Sequence, residues 1–153
     1  MDYSKAIEVA EKTPEVKALQ KEGFFLSSLF ANIHSLDKEV DEWILHFFNP
    51  EKKTVVDCFA NAEGVEMGEE TPALSDMKEF AFTHIIVGFD KAKEKVAGKS
   101  LKPVSILVTL SRKGNMTWTF NFVNVDFSVL TVEVDALSGN ITKEETSSLA
   151  RRL

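Results

Sequence analysis

Few side chains in this sequence are of a type that acts on a bond, and their spacing limits each of them. His34, His46 and His84 are the three histidines. They fall at strand ends or within strands, at no metal-ligand spacing, so histidines meeting the solvent face of a sheet account for them more simply than a metal site. Cys58 is the single cysteine, which excludes an intrachain disulfide and any CxxC redox or metal pattern. Within an apolar strand it reads as a small buried residue, because a nucleophile would need a base that the sequence does not advertise. The acidic run Asp37, Glu39, Asp41 and Glu42 lacks the glycine and the spacing of a calcium loop and fits a solvated hairpin turn. No dinucleotide, Walker, nucleophile-elbow or zincin motif is present. The expectation is a protein with no catalytic residue, no metal and no cofactor. Asp57 is the one carboxylate at a position assigned inward. Buried beside His46 with a cavity next to the pair, it would point instead to an enzyme.

Aromatic side chains are the other candidates for a site. Twelve phenylalanines stand against one tyrosine. Trp43 and Phe47, and again Trp118, Phe120 and Phe122, recur at period two, which puts them on one face of a strand. Core packing against helices is their first assignment. The sharper alternative is an apolar pocket between helices and a concave sheet, with Trp43, Phe47, Asp57, Trp118 and Phe122 as the ligand-binding candidates. Such side chains supply area and shape without an acid, base or metal, so binding is better supported than catalysis.

These residues must be positioned by elements that a chain of 153 residues can build. That length gives one ordinary domain or two very small ones, with enough buried surface to need no staples. A net charge of −6 argues against nucleic acid or an anionic membrane as partner, since both need clustered Lys and Arg. Arg151–Arg152 is the one dense basic cluster, and two charges are too few. The apolar runs fall far short of the ~20 residues a membrane helix needs. The amphipathic start "MDYSKAIEVAEK" has no signal-peptide core. A cytoplasmic location is expected for the chain as given, or an exported one if a signal was removed. Asn115-Met116-Thr117 and Asn140-Ile141-Thr142 fit glycosylation acceptors, which count only in an exported protein.

A repeat organises the chain. At an offset of seventy-five, Gly23 aligns with Gly98, Leu26 with Leu101, Trp43 with Trp118, Phe47 with Phe122, Asn49 with Asn124 and Gly64 with Gly139. Six matches in one register, including both tryptophans, indicate duplication. The first copy opens on the helical spacing of "YSKAIEVAEK". A second helix follows, with Thr13 as N-cap and Pro14 at its first position, and ends at Gly23. In the second copy Asp90 is expected to cap "KAKEKVA", with Gly98 closing the helix. Strands follow: "FFLSSLFANIH", 41–49 and 53–61 in the first copy; "LKPVSILVTL", the Trp118 strand and the 128–135 strand in the second. "SRKGNM" makes a hairpin turn. Val104, Ile106, Val108 and Leu110 alternate as one face. From Thr142 the pattern Thr-x-x-Glu145 predicts a short final helix. Residues 76–88 fit helix in their first part and strand in their second.

The fold class is therefore α+β: two repeated units, each a helix plus a three-stranded antiparallel meander, packed as one compact body. The units are 1–66 and 76–153, with a joint about 67–75.

The "AIEVA" helix, the meander and then "W-x-F-x-F…TVEVDALSGNI" resemble the PepSY family, as a tandem pair. The likeness is carried by Trp118, Val134-Asp135-Ala136 and Gly139, with a fair match over 6–12. In the first copy Ala60 stands where the motif aspartate is expected, and Asp57 falls where the second copy has Val132. The resemblance implies a non-catalytic α+β module, often in exported or membrane-anchored proteins, with inhibitory or regulatory interactions with peptidases. No anchor or signal is visible here. The expected function is a non-enzymatic binding or regulatory module acting on a protein or peptide. The alternative is a small apolar-ligand binder with a Phe-lined pocket. A homo-oligomer stays open.

Overall fold

The computed structural model describes residues 1–148. Among them are three helices, α1 (Tyr3–Glu11), α2 (Pro14–Lys21) and α3 (Phe89–Val96), and nine strands. The chain divides into two compact units, residues 1–30 with 40–80, and residues 31–39 with 81 onward. The strand β1 (Phe25–Ile33) crosses that boundary. The chain is α+β, and all strand pairs given below are antiparallel.

In the first unit β1 is followed by β2 (Glu42–Asn49), β3 (Thr54–Asn61) and β4 (Gly64–Met67), neighbours in the order β4-β3-β2-β1. A two-residue β5 (Thr71–Pro72) also pairs with β3. Helix α1 lays Ala6, Ile7 and Ala10 into the core, where Trp43, Leu45 and Phe47 of β2 meet them with none of their surface exposed. Helix α2 starts as the sequence predicts: the Thr13 hydroxyl accepts from the Val16 N–H, and Pro14 occupies the first turn. Such a cap stabilises a helix by about 1 kcal/mol.

The second unit places β6 (Pro103–Lys113), β7 (Asn115–Asn124), β8 (Ser128–Asp135) and β9 (Ile141–Ser148) in sequence order. Trp118, Phe120 and Phe122 form its core face with Val132, Val134 and Ala136. The Phe89 ring of α3 lies 5.4 Å from Trp118 and stacks on Phe120 at 6.1 Å.

Several expectations need correcting. Each meander has four strands rather than three. Residues 142–148 are strand, not helix, because Lys143, Glu144 and Glu145 pair along β8 with Glu133, Val132 and Thr131. A ladder of backbone hydrogen bonds there outweighs a local capping pattern. Helix α3 begins one residue before Asp90, with Gly88 at the cap position. Residues 76–88 hold a 3-10 turn at Phe82–His84 and otherwise no regular element. Val104 is 53% exposed, since a register shift between Pro103 and Ser105 turns it out of the alternation. Arg151–Arg152 lie outside the described residues.

Cross-strand register also revises the comparison of the two units. Trp43 lies opposite Ala60, and Trp118 lies opposite Val134. Matching the tryptophans therefore matches Ala60 with Val134, Asn61 with Asp135 and Asp57 with Thr131. The β2–β3 loop has four residues and the β7–β8 loop three, so the offset drops by one after the first hairpin. Asn61 does stand where Asp135 does. Its Oδ1 accepts from the Glu63 N–H at 2.9 Å, as Asp135 Oδ1 accepts from Leu137 N–H at 2.7 Å and Ser138 N–H at 3.0 Å.

Candidate functional site

The ligand-binding candidates do not share one environment. Trp43, Phe47 and Trp118 are wholly buried and Phe122 nearly so. Each indole N–H is spent inside its own unit, Trp43 on the Met1 carbonyl and Trp118 on the Val87 carbonyl, both at 2.9 Å. Asp57 differs from them. Strand alternation puts it on the face of β3 opposite Cys58 and Ala60, and its side chain is 35% exposed.

On that outer face of the first unit Asp57 is hydrogen-bonded to His46 Nδ1, its directly opposed neighbour on β2. The bond fixes the orientation of the ring, whose side chain is mostly buried. A register shift between Leu26 and Ser28 in β1 sets Ser28 opposite His46. The Ser27 hydroxyl donates to the His46 carbonyl at 2.8 Å. A polar row, Ser28, His46 and Asp57, thus crosses three strands. On one side it is bordered by Phe25 and Phe48, whose rings meet edge to face at 5.7 Å. There the chain returns over β1: Phe80 N–H donates to the Leu26 carbonyl, and Met77 Sδ is 3.5 Å from Ser27 Oγ. On the other side lies a row of Phe30, Ile44 and Phe59, all half-buried, ending at exposed Glu66 opposite Phe59.

Gly68 lets the outer strand backbone close on this site. Its N–H donates to the Asp57 carbonyl at 2.7 Å. A Cβ there would stand 3.2 Å from that oxygen and 3.4 Å from the Phe59 ring, closer than a side chain tolerates without displacement.

The corresponding face of the second unit has another character. Asn121 and Thr131 stand where register places His46 and Asp57, joined by a 2.6 Å hydrogen bond. Around them are Thr109, Thr119 and Glu133, with half-exposed Leu107 opposite Asn121. The Thr119 hydroxyl is buried with no hydrogen-bond partner among the described residues.

Sequence reasoning singled out Asp57 and named His46 beside it, but not the aromatic frame. Phe30, Ile44 and Phe59 fall on the face opposite the Trp43 and Cys58 alternation, a signal present in the sequence once strand register is known.

The second unit holds a half-open cavity of about 470 Å³. Its floor is Ile106 and Phe122, and its rim includes His34, Asp37, Ser100 and Lys102. Phe122 is thus an aromatic candidate that lines a cavity. His34 Nδ1 is 3.1 Å from the Val104 carbonyl. Among the described residues no three His, Cys, Asp or Glu side chains gather as a metal site. Cys58 is buried, and burial, with Asp57 and Glu15 adding to it, pushes its thiol up to about 11. It is protonated and unreactive near neutrality. No helix among the described residues is long and apolar enough to cross a membrane.

No family model matches the chain, and no curated protein matches it. Among solved structures, that of a proposed lipoprotein from Clostridium difficile 630 is similar, with a TM-score of 0.63 over 96% of this chain and 93% of that one, at 14% identity. At that identity the likeness is one of fold.

Proposed function

We propose that the chain is a non-enzymatic binding module of PepSY-like type, arisen by duplication of a helix-plus-meander unit. It engages a protein or peptide through the outer face of its first unit. The observation that carries this is the half-buried row Phe30, Ile44 and Phe59 beside His46–Asp57, where the matching row of the second unit is Thr109, Thr119 and Glu133 beside an Asn–Thr pair. A contiguous apolar row left on a sheet face after the core is built marks an interaction surface, whereas singly scattered apolar residues do not. Duplication is supported by the two tryptophans, each donating to a carbonyl two residues ahead of an aromatic ring that packs on it. An exported setting fits both the PepSY likeness and the name of the structural neighbour.

A photo-crosslinking phenylalanine analogue placed at Phe59, and separately at Leu107 of the second unit, tests the proposal in cells. A discrete protein adduct from position 59 and none from 107 is expected. Equal, diffuse labelling from both positions would overturn it.

The cavity over Phe122 favours a second function, binding of a small ligand whose apolar part meets Ile106 and Phe122 and whose polar groups meet the rim. Its volume lies within the range of about 300–1,000 Å³ typical of ligand pockets. Native mass spectrometry of freshly purified protein, compared with an Ile106→Trp variant that fills the floor, would show a retained small molecule in the former alone.

A further inference from the structure

Resting on the binding face just proposed, the charge pattern identifies its partner's chemistry: we propose that the face takes an extended segment carrying a cationic side chain two residues from an apolar one. Three consecutive rows of this face contain Asp57, then Glu66 beside Phe59, then Glu42 opposite Asn61. These rows carry no Lys or Arg, in a chain whose net charge is −6. Asp57 gives one carboxylate oxygen to His46, and its other oxygen has no hydrogen-bond partner among the described residues. A guanidinium or ammonium group set there would find that oxygen, with the Phe59 ring in the adjoining row to lie against.

The spacing fits as well. Residues two apart on a strand are about 6.8 Å apart, so the Asp57 row and the Phe30–Ile44–Phe59 row repeat with the period of an extended peptide's own i and i+2 side chains. One alternate side chain then meets the carboxylate while the next meets the aromatic row. The Phe25–Phe48 side, where 77–80 returns over β1, is closed to the partner.

A random-peptide phage library panned on the whole protein, with counter-selection on Phe59→Ser, tests this. The expected winners carry Arg or Lys with an apolar residue two positions away. A synthetic winner and its citrulline or acetyl-lysine analogue are then titrated. The neutral analogue should bind at least about tenfold more weakly, the scale of a hydrogen bond to a charged group, and that gap should close on Asp57→Asn. Winners lost on Phe59→Ser that are neutral or acidic, or neutral analogues that bind equally well, would overturn the cationic partner and leave the face standing. If no peptide distinguishes wild type from Phe59→Ser, the face itself falls. Circular dichroism of both variants guards against misfolding, and Phe30→Ser offers a second lesion if Phe59→Ser fails to fold.

Discussion

Trp118 donates its indole N–H to the Val87 carbonyl at 2.9 Å, two residues ahead of the Phe89 ring that rests on it. Trp43 and Met1 repeat the relationship, with Tyr3 edge-on at 6.3 Å. Each tryptophan therefore fastens the chain entering a helix to the strand beneath. Trp118→Phe keeps one six-membered ring but loses the pyrrole half and orphans the carbonyl, for an expected loss of about 1–3 kcal/mol. Trp118→Ala also opens a cavity and should cost about 3–5 kcal/mol. Urea unfolding measures both, and native emission should be blue-shifted and resistant to acrylamide.

Cys58 should not react in the folded state. Its thiol is buried and pushed up to about 11, so labelling by a thiol reagent at pH 8 is expected only after denaturant is added. Prompt labelling of native protein would contradict that placement.

Asp135 should shape the acid limb of stability. The Asn115 side chain first, then the backbone N–H groups of Ser138 and Leu137, hold its carboxyl below the ordinary value. With the folded value depressed, the contribution is complete above the unfolded value of about 3.9 and is lost as pH falls through the lower folded one. The stability gap between wild type and Asp135→Ala should thus narrow below about pH 4, as read from thermal melts.

The two faces of the first sheet should respond differently to the same lesion. Phe47→Ser, in the sealed core, is expected to cost more than about 3 kcal/mol. Phe59→Ser, on the half-buried outer row, should cost nearer about 1 kcal/mol. Equal losses would mean that Phe59 is a core residue and remove the basis for a binding face.

Much of the fold was legible because its signals are local. Period-two aromatics gave β2 within one residue and placed β7 without its first residues, and Thr13-Pro14 gave the start of α2. The tail misled because Thr142-x-x-Glu145 satisfies a capping pattern and a strand alternation equally well, and only pairing with β8 decides between them. The site was half legible for a similar reason. Asp57 stood out as a departure from the repeat, yet a constant offset set it against Val132. One extra residue in the β2–β3 loop moves its counterpart to Thr131, and with that shift a supposed inward carboxylate becomes the outward partner of His46. The aromatic frame depends on the register of three strands, which no single stretch of sequence specifies.

The outermost strand of the second unit is β9, exposed from Ile141 through Thr146 and carrying Lys143, Glu144 and Glu145. Such an edge offers unpaired backbone to any passing chain. If copies stacked there in register, each of these charges would sit about 4.8 Å from its own duplicate, a repulsion that grows with each layer added. The sequence of β9 thus works as a brake on fibril growth, and it can be released: Lys143→Val with Glu145→Val leaves the pairing with β8 intact while removing two of its three charges. Thioflavin fluorescence rising in the double variant, and absent from wild type at equal concentration, would show that the brake lies in those side chains.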